Sequence, residues 1–361
     1  MTVEGMRLSV YFGERDRVHG RLLADALVGV FADLGVRSSI LLRGIEGFGI
    51  KHRLQSERLL TLSEDLPLVA VAFDTQPRIE ILLERVRAIT GHGLITLERA
   101  RLLNAPVAEA DVVPGPDAVK LTIYLGRHER VGSHSAHTAV VECLHRHGVA
   151  GASVLLGVDG TVCGARQRAG FLARNMQVPV MIQSVGESVA IARTLGEIAE
   201  MLKHPAMTLE RVRVCKRDGV LLAEPPRTLD ADATGLAYWQ KLVVYASEQT
   251  RYEHQPLHSA LIRRLRREGA AGATSLRGQW GYHGEHQPHG ERFWSIRRHV
   301  PVLTVLLDTP AKMQRWFEIV DEMTRETGLV TSEAVPALRA TGPGIAHGGF
   351  DLAALHESSS R

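Results

Sequence analysis

Cysteine is scarce: three residues in 361, Cys143, Cys163 and Cys215. Odd in number and without knuckle spacing, they exclude a disulfide scaffold or a structural zinc module, and read as reduced thiols of a cytoplasmic protein. Cys143 falls within a helical pattern and Cys215 at a strand-like position, so both read as small core residues. Charge of one sign is also missing. Forty-three basic residues nearly balance 40 acidic ones, a net +3, without the concentrated basic face that nucleic acid requires. The run Arg263-Arg264-Leu265-Arg266-Arg267 reads as a solvated helix face. No apolar run approaches the ~20 residues of a membrane span, and no secretory leader is expected. There is no Gly-x-Ser-x-Gly elbow, no His-Glu-x-x-His helix and no Walker or dinucleotide fingerprint, so no catalytic constellation emerges. Trp280, Trp294 and Trp316 read as packing residues.

A threefold repeat is what the sequence does contain. Leu8-Ser9-Val10-Tyr11, Leu121-Thr122-Ile123-Tyr124 and Leu242-Val243-Val244-Tyr245 open units with the same landmarks in the same order. Glycines recur 27 residues on (Gly35, Gly148, Gly269), 36 on (Gly44, Gly157, Gly278) and 39 on (Gly47, Gly160, Gly281). A proline heading an apolar run follows at 58 or 59 (Pro67, Pro179, Pro301). The spacing is that of domains, not solenoid repeats.

In the first unit Leu8–Phe12 predicts a strand. Leu23, Leu27, Val30, Phe31 and Leu34 have helical spacing, and Gly35 can end that helix. A second strand is expected at Ser38–Leu42, a loop at Arg43–Gly49, a strand behind Pro67, a helix from Pro77 to Ile89 and a last strand from Leu94. The order β-α-β-β-α-β is the ferredoxin-like split arrangement, an α+β fold with both helices on one face of an antiparallel sheet. The other units repeat it. The expected organisation is three domains at 1–112, 119–219 and 237–340. Linkers at 113–118 and 220–236 join them, and a disordered tail at 341–361 follows.

The first unit resembles the domain-of-unknown-function family numbered 190, whose fold is similar to that of the PII nitrogen-signalling proteins. The resemblance rests on Leu8–Phe12, Leu34-Gly35, Arg43-Gly44-Ile45-Glu46-Gly47-Phe48-Gly49 and Leu62-Ser63-Glu64-Asp65-Leu66-Pro67. It implies a PII-like domain of a class that assembles as trimers. Such proteins bind effectors in clefts between neighbours and touch a partner with the long loop after the second strand. It also implies a regulatory role connected with fluoride export, a membrane channel being one candidate partner. Three such units in one chain could close as an intramolecular pseudo-trimer, and the linkers equally permit a homo-oligomer.

The glycines of the Arg43–Gly49 segment could let backbone N–H groups converge on an anion, a flexible hairpin being the plain alternative. Arg43, Gly44, Gly47, Gly49, Lys51, His52 and Arg53 are therefore the candidate ligand-binding residues, for a phosphate or nucleotide. His283, His286 and His289 form a weaker candidate for a divalent metal, as in the copper-tolerance branch of PII-like folds, although nothing in that loop fixes ligand geometry.

Overall fold

A computed structural model describes residues 2–49, 54–56, 65–103, 118–162, 164–168, 178–202, 205–226, 238–283, 289–290, 300–342 and 345–353. In unit 1 the strands Thr2–Gly13, Ser38–Phe48, Pro67–Thr75 and Gly93–Leu103 alternate with helices α1 (Leu23–Asp33) and α2 (Gln76–Ile89). Antiparallel pairing sets the lateral order second–third–first–fourth. Unit 2 repeats it with Ala118–Gly126, α3 (Ala136–Arg146), Gly151–Leu156, Pro179–Glu187, α4 (Ser188–Met201) and Ala206–Arg217. Unit 3 does so with Trp239–Ser247, α5 (Leu257–Glu268), Ala273–Arg277, Pro301–Asp308, α6 (Pro310–Met323) and Leu329–Val335.

Local sequence accounts for the helix ends. Gly35, Gly148 and Gly269 follow the first helix of each unit with φ of 56°, 72° and 90°, a left-handed turn that costs glycine little. In α1 the buried residues Leu23, Leu27, Val28 and Phe31 form one stripe against the sheet.

Each sheet is buried on both faces. Along Pro67–Thr75, Leu68, Ala70 and Ala72 pack beneath the helices, whereas Val69, Val71 and Phe73 join a core shared by all three units. That shared core also takes Tyr124, Leu155 and Met181 from unit 2, and Val243, Tyr245 and Leu303 from unit 3. Burial on both faces explains why these strands read as near-continuous apolar runs.

Strand pairing joins the units into a closed cycle. Thr208 and Leu209 of unit 2 pair with Leu102 and Arg101 of unit 1, and Arg213 and Val214 pair with Ser332 and Thr331 of unit 3. Residues Ala337–Thr341 pair with Leu97–Gly93, returning to unit 1. A second cycle runs around the outside. Gly44–Phe48 pairs with Ala273–Leu276 of unit 3, Trp280–His283 with Gly151–Val154 of unit 2, and Asp159–Val162 with Ser38–Leu41 of unit 1.

Three expectations need correcting. Arg43–Phe48 is not a loop but the continuation of the second strand, because the edge of unit 3 supplies its hydrogen-bond partners. The expected linker 220–236 begins as a hairpin, with Val220 and Leu221 paired to Arg217 and Lys216; residues 227–237 lie outside the described residues. The expected disordered tail carries a strand among its described residues. Ile345–Gly349 pairs back on Leu338–Gly342, and Phe350 lies under the guanidinium groups of Arg87 and Arg339. Residues 354–361 lie outside the description. No helix among the described residues is long and apolar enough to cross a membrane.

Candidate functional site

The strand extension of unit 1 is an arm laid across unit 3. Phe48 packs into the helix-side core of unit 3, and buried Glu46 accepts a hydrogen bond from the Ser259 hydroxyl on α5. The arm glycines are needed for contact. A Cβ on Gly44 would lie 2.7 Å from Pro67 Cγ and 3.0 Å from the Ser275 carbonyl oxygen, and one on Gly47 would lie 2.9 Å from the Ala273 oxygen. The other units repeat this packing: a Cβ on Gly157 would lie 2.9 Å from Pro179 Cγ, and one on Gly278 would lie 2.7 Å from Pro301 Cγ. The recurring glycines and proline are therefore the junction between units, which gives Gly44 and Gly47 a packing role in place of an open anion nest. Gly49 has open space around it.

Where the arm leaves the sheet, polar groups from unit 1 converge. Arg43 Nη2 is 2.9 Å from Glu14 Oε2. Asp65 accepts hydrogen bonds from the Arg15 backbone N–H at 2.8 Å and from Gln55 Nε2 at 3.1 Å. Unit 3 keeps the first pair as Arg277 and Glu248; unit 2 has Leu156 and Arg127 in their places. Lys51, His52 and Arg53 lie outside the described residues.

His283 closes the strand Trp280–His283, opposite Gly151. It lines a cleft between units 2 and 3 of about 290 Å³, including the part open to solvent, together with Ser153, Gln183 and Tyr245. The hydroxyl of Tyr282 donates to the Val149 carbonyl at 2.9 Å and fastens that junction. The backbone of His289 pairs with Gly281, and His286 lies outside the described residues. In unit 3, burial and then Arg277 hold the His258 imidazole down to about 4.

Six charged residues meet at the centre of the cycle. Arg7, Lys120 and Lys241 each precede the opening leucine of a unit, and strand alternation turns them to the face opposite the helices. Each faces a glutamate of its own last strand: Arg7 with Glu98, Lys120 with Glu210, Lys241 with Glu333. Contacts between units complete an alternating ring. Arg7 Nη1 is 3.2 Å from Glu210 Oε1, Lys120 Nζ is 2.6 Å from Glu333 Oε2, and Lys241 Nζ bonds Glu98. Within units, Lys120 Nζ is 2.7 Å from Glu210 and Lys241 Nζ 2.6 Å from Glu333.

No side chain of this ring is more than 7% exposed. Three cations offset three carboxylates, so the buried net charge is zero, the condition under which buried ions persist. Burial alone would raise the Glu98 carboxyl, but Arg7 and Lys241 outweigh it and hold it below the usual range. Burial would lower the Lys241 ammonium, but Glu333 and Glu98 reverse that and raise it. Burial, then the Glu98 charge, pushes the Tyr11 hydroxyl up to about 12. Sequence reasoning missed the ring, although its signal was there. A base stands before each opening leucine, and a glutamate falls about 90 residues later in every unit.

Three stretches of the chain, residues 5–102, 118–214 and 239–337, match the profile of the DUF190 family, described as Uncharacterized ACR. A UPF0166 protein of Aquifex aeolicus (strain VF5) is 27% identical over 97 residues, which is 27% of this chain and 90% of that protein. Among solved structures, aspartate kinase from Synechocystis matches at 10% identity with a TM-score of 0.26. That match covers 95% of this chain and 46% of the kinase, so the chain spans less than half the kinase's length. At that score the likeness supports no conclusion on fold or activity.

Proposed function

The chain belongs to the DUF190 family, and on that footing we propose that it is a non-enzymatic sensor or adaptor of three PII-like units closed as an intramolecular pseudo-trimer. The lateral strand order, with both helices of a unit on one face, supports the ferredoxin-like reading of each unit. The effector is a small anion, a nucleotide being the leading class, held beside unit 1 where Arg43 stands and where Lys51, His52 and Arg53 follow in sequence.

The observation that carries this reading is the shared arm. Ser38–Phe48 is a strand of unit 1 at one end and of the sheet of unit 3 at the other. A ligand held beside this arm by Arg43 can thereby bias a junction between units, and with it the surface offered to a partner such as a membrane channel. Thermal shift with ATP, ADP, inorganic phosphate and fluoride tests it. Stabilisation by one of them that Arg43→Ala reduces is expected. The same shift in the variant would remove Arg43 from the site, and no shift with any of them would leave the effector reading without support.

A further inference from the structure

Unit 2 carries on its helical face a cluster that the other units lack. Cys143 and His147 are four residues apart at the end of α3, one helical turn, and so share a face. Glu197 projects to them from the adjoining helix α4. His147 Nε2 is 3.0 Å from Glu197 Oε2, and the sulfur, nitrogen and oxygen atoms all lie within 4.8 Å of one another. We propose that Cys143, His147 and Glu197 form a binding site for a borderline divalent metal of the zinc or cobalt type.

The donor set fits that chemistry. One thiolate and one carboxylate neutralise a divalent ion, and the imidazole adds a neutral ligand. Tetrahedral zinc holds nitrogen and oxygen ligands about 3.3 Å apart, so a metal entering between His147 and Glu197 needs to widen their separation by only a few tenths of an ångström. The second carboxylate oxygen, Oε1, is already bonded to Arg146. That bond leaves Oε2 facing the histidine and fixes the carboxylate's orientation, as outer partners do in built metal sites.

Access is also suitable. Cys143 is buried at the base, whereas the side chains of His147 and Glu197 are 29% and 38% exposed. An ion can enter from solvent and keep a water as fourth ligand. The positions matching Cys143 and His147, counted back from the helix-ending glycine, are Val30 and Leu34 in unit 1 and Arg264 and Glu268 in unit 3. The place of Glu197 is taken by Arg85 and Ile319. Neither unit offers a thiol or imidazole there, so the fold does not require these residues.

Binding exchanges a proton for the metal: the S–H bond of Cys143 breaks, a sulfur–metal bond forms, and the proton leaves to solvent. Burial, then Glu197, pushes the free thiol up to about 12, so without metal it stays protonated and unreactive.

Cobalt(II) titration of the chelator-treated full chain tests the site. The expected result is a near-ultraviolet thiolate-to-cobalt band saturating at one equivalent, with about one proton released per metal bound. Cys143→Ser abolishes the band, and Cys215→Ser retains it. Glu197→Gln, a surface change that leaves the core intact, weakens binding about tenfold or more. Absence of the band in the parent, its survival in Cys143→Ser, or an unchanged midpoint in Glu197→Gln would each overturn the proposal.

Discussion

The centre of the molecule and its rim follow different rules. At the centre every unit contributes the same parts: a base before the opening leucine, a glutamate in the last strand, and a tyrosine near the end of the first strand. At the rim the units diverge. Unit 1 has the Arg43–Glu14 pair and the Asp65 turn, unit 2 the Cys143–His147–Glu197 cluster, and unit 3 His258 beside Arg277. Closure constrains all three copies equally where they meet, because each central cation bonds a glutamate of another unit. Surface residues escape that constraint and can specialise.

If so, a central change should be severe in whichever unit it is made. Glu333→Ala leaves two buried ammonium groups short of a partner, and chemical denaturation should show a loss of about 3–5 kcal/mol. Glu98→Ala and Glu210→Ala should cost similar amounts, whereas a mild effect in one unit would break the equivalence. Replacing all six charges together by apolar residues should cost far less than the sum of the single changes.

Junction glycines should come next. A Cβ on Gly281 or Gly160 would lie 2.2 or 2.3 Å from the carbonyl oxygen of Ala152 or Ser39, and both residues have φ of 152°. Gly281→Ala should destabilise by about 1–3 kcal/mol, while Gly49→Ala in open space should stay within about 0.5 kcal/mol.

Two pH effects should separate, one at the rim and one at the centre. An imidazole held down to about 4 in the folded chain titrates near 6.5 when unfolded. The unfolded state therefore binds more protons between those values, and stability falls as pH drops from about 6.5 to 4. His258→Gln should flatten this part of the stability–pH curve. The depressed carboxylates of the ring act lower: their contribution is present above about 4.3 and lost as pH falls through their folded values. Glu98→Gln should change that acid limb and leave the His258 window alone.

Much of this was legible in the sequence. The repeated Leu-x-x-Tyr starts, the helix-ending glycines and the apolar strands all reflect local preferences, and local preferences can be read one residue at a time. The arm was not legible, because Gly44 and Gly47 look like loop glycines until the strand of unit 3 that presses on them is known. Nor was the ring. In Lys120-Leu121-Thr122-Ile123, alternation alone assigns the lysine and threonine to a solvent face; only closure of three sheets buries them. The tail has loop composition, yet Ile345–Gly349 forms a strand, since Leu338–Gly342 offers it an edge to pair with. The candidate at Arg43 was legible as chemistry, and its setting against a shared strand was not.

Light scattering on gel-filtered protein tests intramolecular closure most directly. A particle of one chain, 39.6 kDa, is expected; a particle of three chains, in which units pair between molecules, would contradict it.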